Sequence, residues 1–281
     1  LEADHLDVYG DLRGVREGFL TFLAGVRGGG RIVACADDHG ASSLLPFVGT
    51  AGYSYGTSAG SMLRATDVRI TESHTYCTVV EEGVVIGEMA LVLGGLHNLR
   101  NALAAAAAAR ACGVEWDAIL AALKAFRGVG RRFERLGETH GVIVIDDYAH
   151  HPTEIQATLR AARSMFPDRR LVAAFQPHLF SRTRDFASDF GAALSAADVT
   201  WVTDIFPARE LPIPGITGHT IVEAVEAFGQ NQVHYVEALA DLPEALADDL
   251  DEGDVLVTIG AGSIESVGAR VLELLGARVH A

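Results

Sequence analysis

From Val142 to Leu275 the chain alternates short apolar runs with amphipathic segments, five times over, and few architectures accept that pattern. Strands are expected at Val142 to Asp146, Leu171 to Phe175, Val199 to Val202, Val233 to Val236 and Val255 to Ile259. Helices are expected between them, at Pro152 to Ser164, Thr183 to Ala196, Thr220 to Phe228, Leu239 to Leu250 and Ser263 to Leu275. Runs such as VIVI and LVAAF are apolar at every position, so both faces of each strand must be buried. That predicts an open, parallel α/β sheet covered by helices on both sides.

The region before Arg131 reads differently. Helical spacing of Val15, Phe19, Phe22 and Leu23 gives a helix over Asp11 to Val26, followed by a glycine break and a strand at Arg31 to Cys35. A second such cycle is expected over Asp38 to Gly52. Residues Ala65 to Leu93 alternate around Glu81, Glu82 and Gly83, which predicts a hairpin. Helices follow at His97 to Cys112, carrying an alanine run, and at Trp116 to Phe126. The glycine- and arginine-rich stretch GVGRRFERLG is read as a turn, and the domain boundary falls there, giving units 1–130 and 131–281.

Composition narrows the function classes. With 49% hydrophobic and 21% charged residues the chain has the material for packed cores, which excludes global disorder. A net charge of −15, from 22 basic and 37 acidic side chains, removes the basic footprint of a polynucleotide or anionic-membrane binder. Three scattered cysteines, Cys35, Cys77 and Cys112, fit neither a disulfide framework nor a cysteine zinc site and suit a reducing compartment, so the expected location is cytoplasmic. No apolar stretch is long enough to span a bilayer. The chain begins at Leu1 and is expected to be a piece of a longer protein.

The polar residues with chemical potential gather at predicted strand ends, where ligands bind in open α/β sheets. In IDDYAHHPTEI, Asp146 and Asp147 suit ribose hydroxyls or a metal, and Tyr148, His150 and His151 can orient or exchange protons with a polar substrate. The alternative is a capped helix start with an exposed histidine pair. In FQPHLFSRTRDF, His178, Arg182 and Arg184 would face the same crevice and suit carboxylate or phosphate, unless Arg184 simply pairs with Asp185. Asn98 and Asn101 lie three apart at a helix start and suit an adenine edge or a cap. Arg131 and Arg132 stand at the domain junction, placed to reach a phosphate. His5, flanked by Asp4 and Asp7, is a candidate divalent-metal ligand or a structural histidine. The GAGSI turn lacks the full GxGxxG spacing and reads as a tight turn. There is no GxxxxGK[ST] motif, and Lys124 is the only lysine.

Taken in order, EADHLD, HNLRNALAA, GVGRRFE, DDYAHHPTEI, FQPHLFSRTRDF, PIPG and GAGSI resemble the Mur ligases of peptidoglycan synthesis, over essentially the whole chain. Within that family the segments are most similar to the members that join L-alanine to UDP-N-acetylmuramate. The resemblance implies the latter part of a central ATPase domain followed by a Rossmann-like C-terminal domain, with the UDP-binding domain and the P-loop lying outside this chain. It implies ATP and Mg2+ as cofactors, an acyl-phosphate intermediate, and no turnover by this chain alone. It implies His5 as a magnesium ligand, Asn98 and Asn101 at the ATP site, and Arg132 on the phosphates. One of Asp146 and Asp147 would hold the ribose, and Tyr148, His150, His178 and Arg182 would surround the alanine and the muramyl carboxylate. Apolar surface is expected where the rest of the central domain would pack. The pattern departs at Leu179, where many members carry a basic residue, and at Ser263, where Asp or Asn is frequent. Two other functions fit the same residues: a murein-peptide ligase acting on the same UDP-sugar, and a non-catalytic nucleotide- or substrate-binding module.

Overall fold

The computed structural model describes residues 1–3, 6–229 and 232–278, and within these the chain divides into two compact units, Leu1–Phe126 and Arg127–Ala281. His5 lies outside the described residues.

The first unit opens with α1 (Leu6–Tyr9) and α2 (Leu12–Ala24), the latter begun by Asp11, whose Oδ1 accepts the Gly14 amide at 2.8 Å. The chain continues through β1 (Ile32–Cys35), the single turn α3 (His39–Ser42) and β2 (Gly52–Gly56). The expected second cycle over 38–52 therefore contains only one helical turn and two short 3₁₀ turns, and its strand starts where the cycle was expected to end; Pro46, Gly49 and Gly52 interrupt any longer helix.

The expected hairpin is part of a three-stranded meander, β3 (Leu63–Ile70), β4 (Thr75–Glu81) and β5 (Val84–Leu91). Its β4–β5 turn lies at the expected place: Glu82 and Gly83 both take positive φ (48° and 84°), the backbone a two-residue hairpin turn requires. The extra turn at 71–74 is closed by Thr71, whose hydroxyl accepts the His74 amide and donates to the His74 carbonyl, a local signal that hydropathy alternation does not carry. Sheet order is β1-β2-β3-β4-β5, parallel at β1–β2 and β2–β3 and antiparallel beyond.

On this sheet pack α4 (Leu96–Ala111) and α5 (Trp116–Ala125), with Leu63, Val79, Met89 and Leu91 against Leu99, Leu103, Ala106 and Ala107. Small side chains at 102, 106 and 107 let α4 sit close to the strands. Beside β1 an apolar cavity of about 760 Å³ is bordered by Val15, Phe19, Leu23, Ile32 and Val33, and Phe22 on α2 is 71% exposed.

The second unit is a six-stranded sheet in the order β10-β9-β8-β11-β7-β6. It is built from β6 (Glu134–Thr139), β7 (Val142–Asp147), α6 (Pro152–Met165), β8 (Leu171–Phe175), α7 (Phe180–Asp185), α8 (Ala187–Leu194), β9 (Val199–Thr203), α9 (Gly218–Ala227), β10 (Val233–Val236), α10 (Leu242–Asp249), β11 (Val255–Ile259) and α11 (Glu265–Ala277). All pairings are parallel except β6–β7. Every residue of β7, β8 and β11 is buried, which is why these segments carry the apolar runs VIVI, LVAAF and VLV.

Two local readings need correction. Part of GVGRRFERLG, read as a turn, enters the antiparallel edge strand β6, which returns into β7 through His140 and Gly141, both at positive φ. In ERLGET only Leu136 is a large apolar side chain, so this half-exposed edge strand carries no hydrophobic alternation to mark it. The helix expected over 183–196 is two helices, broken at Phe186, where the chain re-aims α8 so that its Phe190 packs on Phe175 of β8.

Because β11 inserts between β7 and β8, the chain order reverses at that point. The carboxyl ends of β7, β8 and β11 thus converge on one edge of the sheet, the position at which doubly wound folds bind ligands.

Candidate active site

At the end of β7, both carboxylates are occupied by the protein itself. Asp146 is 2% exposed; its Oδ1 accepts the Thr258 hydroxyl at 2.6 Å and its Oδ2 the Arg131 Nε at 3.0 Å. Asp147 accepts the backbone amides of Phe133 at 2.9 Å and Ala149 at 2.8 Å, together with the Thr158 hydroxyl. Burial pushes the Asp147 carboxyl above its ordinary range, against the pull of those hydrogen bonds and of Arg132. The two aspartates therefore fasten the strand end, and the residues after them line its open side.

Arg131 ties this strand end together. Its guanidinium bonds Asp146, donates to the Gly260 carbonyl at 2.6 Å, reaches Glu265 at 2.9 Å and lies 5.0 Å from the centre of the Tyr148 ring. One side chain thus joins β7, the turn after β11 and the first turn of α11. Arg132 projects beside it, 53% exposed, 5.4 Å from the same ring and 3.9 Å from Glu154. Of the two arginines at the junction, Arg131 is anchored and Arg132 presents its charge to solvent.

His150 and His151 are set by the start of α6. Pro152 occupies the first helical position, His151 caps it, and the Glu154 carboxylate turns back to accept the His150 and His151 amides at 3.0 and 3.2 Å. The His150 ring is consequently fixed: its Nδ1 lies 3.0 Å from the Tyr148 carbonyl, which can only accept, so the neutral ring carries its proton on Nδ1 and leaves Nε2 as an acceptor. His151 packs its ring on Phe186 at 5.1 Å and serves the helix cap.

At the end of β8 the His178 ring stacks on Phe206, with centroids 5.8 Å apart and planes 14° apart. Arg182 Nη1 stands 3.4 Å from His178 Nδ1; since a guanidinium only donates, Nδ1 is the acceptor and the proton sits on Nε2. Burial first, and then the nearby positive Arg182, lowers the His178 pKa to about 4, so the ring is neutral at pH 7. The rings of Tyr148, His150 and His178 follow one another at 5.3 and 6.0 Å.

Four of the residues singled out in the sequence, Tyr148, His150, His178 and Arg182, thus form one cluster, with Arg132 over the same tyrosine. Arg184 does not join it; exposed, it pairs with Asp185 at 2.7 Å. The GAGSI turn is occupied by packing: the Gln176 Oε1 accepts the Ile264 amide at 3.1 Å, and Gly262 lies directly against Gln176 and Phe206. Sequence reasoning passed over Glu154, Gln176 and Glu210. The spacing His151–Pro–Thr–Glu154 is a helix-start signature that identifies the first; Gln176 and Glu210 act on partners remote in sequence and leave no local mark.

In the first unit Asn98 is buried and its Nδ2 donates to the Gly94 carbonyl at 2.9 Å, while Asn101 is exposed, so the two amides do not share one environment. Arg100, between them, bonds Asp37 at 2.9 Å. Asp37 also accepts from the amides and hydroxyls of Thr57 and Ser58, and although burial opposes it, these bonds hold its carboxyl below the usual range. Among the described residues no group of three or more His, Cys, Asp or Glu side chains could hold a metal, and no helix is long and apolar enough to cross a membrane.

A model described as the Mur ligase middle domain matches residues 1–109, and one described as the Mur ligase, glutamate ligase domain matches residues 131–262. The UDP-N-acetylmuramate–L-alanine ligase of Salinibacter ruber is 42% identical over 275 residues, covering 98% of this chain and 58% of that protein. The enzyme of the same name from Solidesulfovibrio magneticus is 44% identical over 275 residues, covering 97% of this chain and 60% of that protein. The crystal structure of a UDP-N-acetylmuramate-alanine ligase from Thermotoga maritima superposes with a TM-score of 0.78 at 28% identity, covering 98% of this chain and 58% of that one. A murein peptide ligase from Psychrobacter arcticus superposes with a TM-score of 0.65 at 26% identity, covering 93% and 54%. The chain spans about 60% of the length of the curated relatives it matches.

Proposed function

The chain belongs to the Mur ligase family, and from that premise we propose that it supplies the latter part of the central ATPase domain, residues 1–130, and the C-terminal domain, residues 131–281, of a cytoplasmic ligase of peptidoglycan precursor synthesis. In this reading the whole enzyme joins L-alanine to the lactyl carboxylate of UDP-N-acetylmuramate. A carboxylate is inert to amines at neutral pH, and ATP would supply the phosphoryl group that makes it an acyl phosphate. The amine then forms the C–N bond as the C–O bond to phosphate breaks.

The observation that carries the reading is the cluster of Tyr148, His150, His178 and Arg182 at the sheet's switch point, with its two imidazoles in opposite tautomers. Arg182 is the fixed cation for a carboxylate. His178, neutral and donating from Nε2, orients a substrate oxygen without adding a second positive charge. His150 offers Nε2 to an ammonium group or to the proton the amine must lose. Arg132, its guanidinium open to solvent, fits a transferring phosphoryl group. Asn98 and Asn101 belong to the same reading as nucleotide-binding residues. With Asp146 and Asp147 both occupied by protein donors, a ribose contact at either one would add to the existing hydrogen bonds. The magnesium expected of such chemistry rests on His5, outside the described residues, and no step is assigned to it.

The test is phosphate release with UDP-N-acetylmuramate, ATP, magnesium and either L-alanine or the murein tripeptide. This chain is compared with one extended by the upstream segment its relatives carry. Turnover in the extended chain with L-alanine is the expected result. Preference for the tripeptide would assign the chain to murein-peptide recycling, and silence with both acceptors would leave a binding module.

A further inference from the structure

We propose that Glu210 is a positioning residue of this site: from the loop after β9, its carboxylate clamps the first turn of α7 and so aims His178 and Arg182. The inference rests on the reading of the Tyr148, His150, His178 and Arg182 cluster as the acceptor site.

The helix α7 has only six residues and cannot hold its own shape, because so short a segment makes too few hydrogen bonds to offset nucleation. Its preceding residue, Leu179, has no side chain able to cap and takes φ 71°, a conformation that a branched aliphatic residue holds only when its surroundings impose it. The first amides of the helix need an acceptor from elsewhere. Glu210 supplies it from 29 residues away: Oε2 accepts the Ser181 amide at 2.9 Å and Oε1 the Ser181 hydroxyl at 2.5 Å. The Phe180 amide donates to the same carboxylate. Although burial opposes it, these bonds keep the Glu210 carboxyl below its ordinary range, so it is charged at neutral pH.

The same loop grips the segment on its other side. Leu179 donates to the Phe206 carbonyl at 3.0 Å, Phe206 donates to the Pro177 carbonyl at 2.8 Å, and the Phe206 ring stacks under His178. Arg182 directly follows the clamped Ser181, and its guanidinium completes the contact to His178 Nδ1. The backbone from Pro177 to Arg182 is thereby held at both ends by one loop, and the residues it carries are those offered to substrate. Released from Glu210, α7 would keep its sequence but lose the direction of its arginine.

Two measurements test this. In the 281-residue chain, amide hydrogen exchange at Phe180 and Ser181 is compared for wild type, Glu210→Ala, Glu210→Gln and Ser181→Ala. Exchange about tenfold faster in Glu210→Ala, with smaller increases in the other two and unchanged β8 amides, is the expected result. Should Glu210→Ala also lose β8 protection, the two milder variants decide. Unchanged exchange at Phe180 and Ser181 in variants with intact β8 overturns the clamp. In the extended chain, Glu210→Ala should raise the KM for L-alanine about tenfold, leave the KM for ATP unchanged, and be partly rescued by Glu210→Asp. A fall in kcat with both KM values unmoved would reduce Glu210 to a stability role and overturn the positioning claim. If the wild-type extended chain does not use L-alanine at all, the functional reading fails while the exchange result still decides whether the clamp exists.

Discussion

The His150 and His178 rings meet edge-on with centres 6.0 Å apart, and they carry their protons on opposite nitrogens. The Tyr148 carbonyl fixes the first as Nδ1–H and the Arg182 guanidinium fixes the second as Nε2–H. The pair therefore holds one Nε2 acceptor and one Nε2 donor, the combination an amine and a carboxylate oxygen require. Neither assignment depends on substrate; both follow from groups that can only accept or only donate.

His178 should remain neutral well below pH 6. Its ordinary value of 6.5 falls to about 4 in the folded chain, so between those values the unfolded state binds the extra proton. Its contribution to stability is present above pH 6.5 and is lost as pH falls towards 4. Histidine-ring NMR should show His178 titrating at least one unit below an exposed histidine. The urea midpoint should also fall less steeply between pH 6.5 and 4 in His178→Gln than in wild type. A ring that titrates near 6.5 would remove the argument for a neutral donor.

Replacing Arg131 by Met should cost about 3 kcal/mol, because Asp146, 2% exposed, would be left charged and short of its partner. Arg131→Lys should cost less, since it keeps the charge but cannot bridge Asp146, Gly260 and Glu265 together. The chain has two tryptophans, Trp116 in the first unit and Trp201 in the second, so Trp201 fluorescence in a Trp116→Phe background reports the second unit alone. Loss below about 1 kcal/mol in urea for Arg131→Met would show the contact to be surface-like.

The parallel sheet was legible because three of its strands are buried at every position and carry the apolar runs VIVI, LVAAF and VLV, and such runs between amphipathic segments have few other uses. Tyr148, His150, His178 and Arg182 were legible because strand ends are where a sheet of this type places its ligands. The edge strand β6 was hidden because its exposed face carries the same charges as a loop. The division of labour between Arg131 and Arg132 was hidden for a different reason. Arg131 at φ 59° is turned towards Asp146 and Gly260, and no spacing rule distinguishes adjacent arginines by backbone conformation. Gln176 and Glu210 were invisible because each acts on partners brought near only by the completed sheet.

Gly262→Ala should destabilise the second unit by about 1–3 kcal/mol, the range for forcing a methyl into a filled space. A Cβ there would stand 2.4 Å from the Gln176 Oε1 and 2.7 Å from Phe206 Cγ, displacing the acceptor of the Ile264 amide and the ring beneath His178. Gly276→Ala, whose Cβ would meet only Thr139 Cγ2 at 3.9 Å, is the control and should be neutral or slightly stabilising. Equal behaviour of the two in the Trp201 assay would mean that the GAGSI turn is free to relax.

Arg132→Ala should separate activity from stability in the direction opposite to Arg131→Met. Arg132 is 53% exposed and its 3.9 Å approach to Glu154 is a surface pair, so its removal should cost less than about 1 kcal/mol. If its charge is reserved for a phosphoryl group in transfer, the extended chain should lose about a hundredfold or more in kcat, an effect seen when a preorganised donor to a developing charge is deleted. Measuring phosphate release beside the Trp201 unfolding curve gives both quantities for one protein. A loss of activity that merely tracks a loss of stability would place Arg132 with the scaffold, and undiminished turnover would require the phosphate role to pass to another cation.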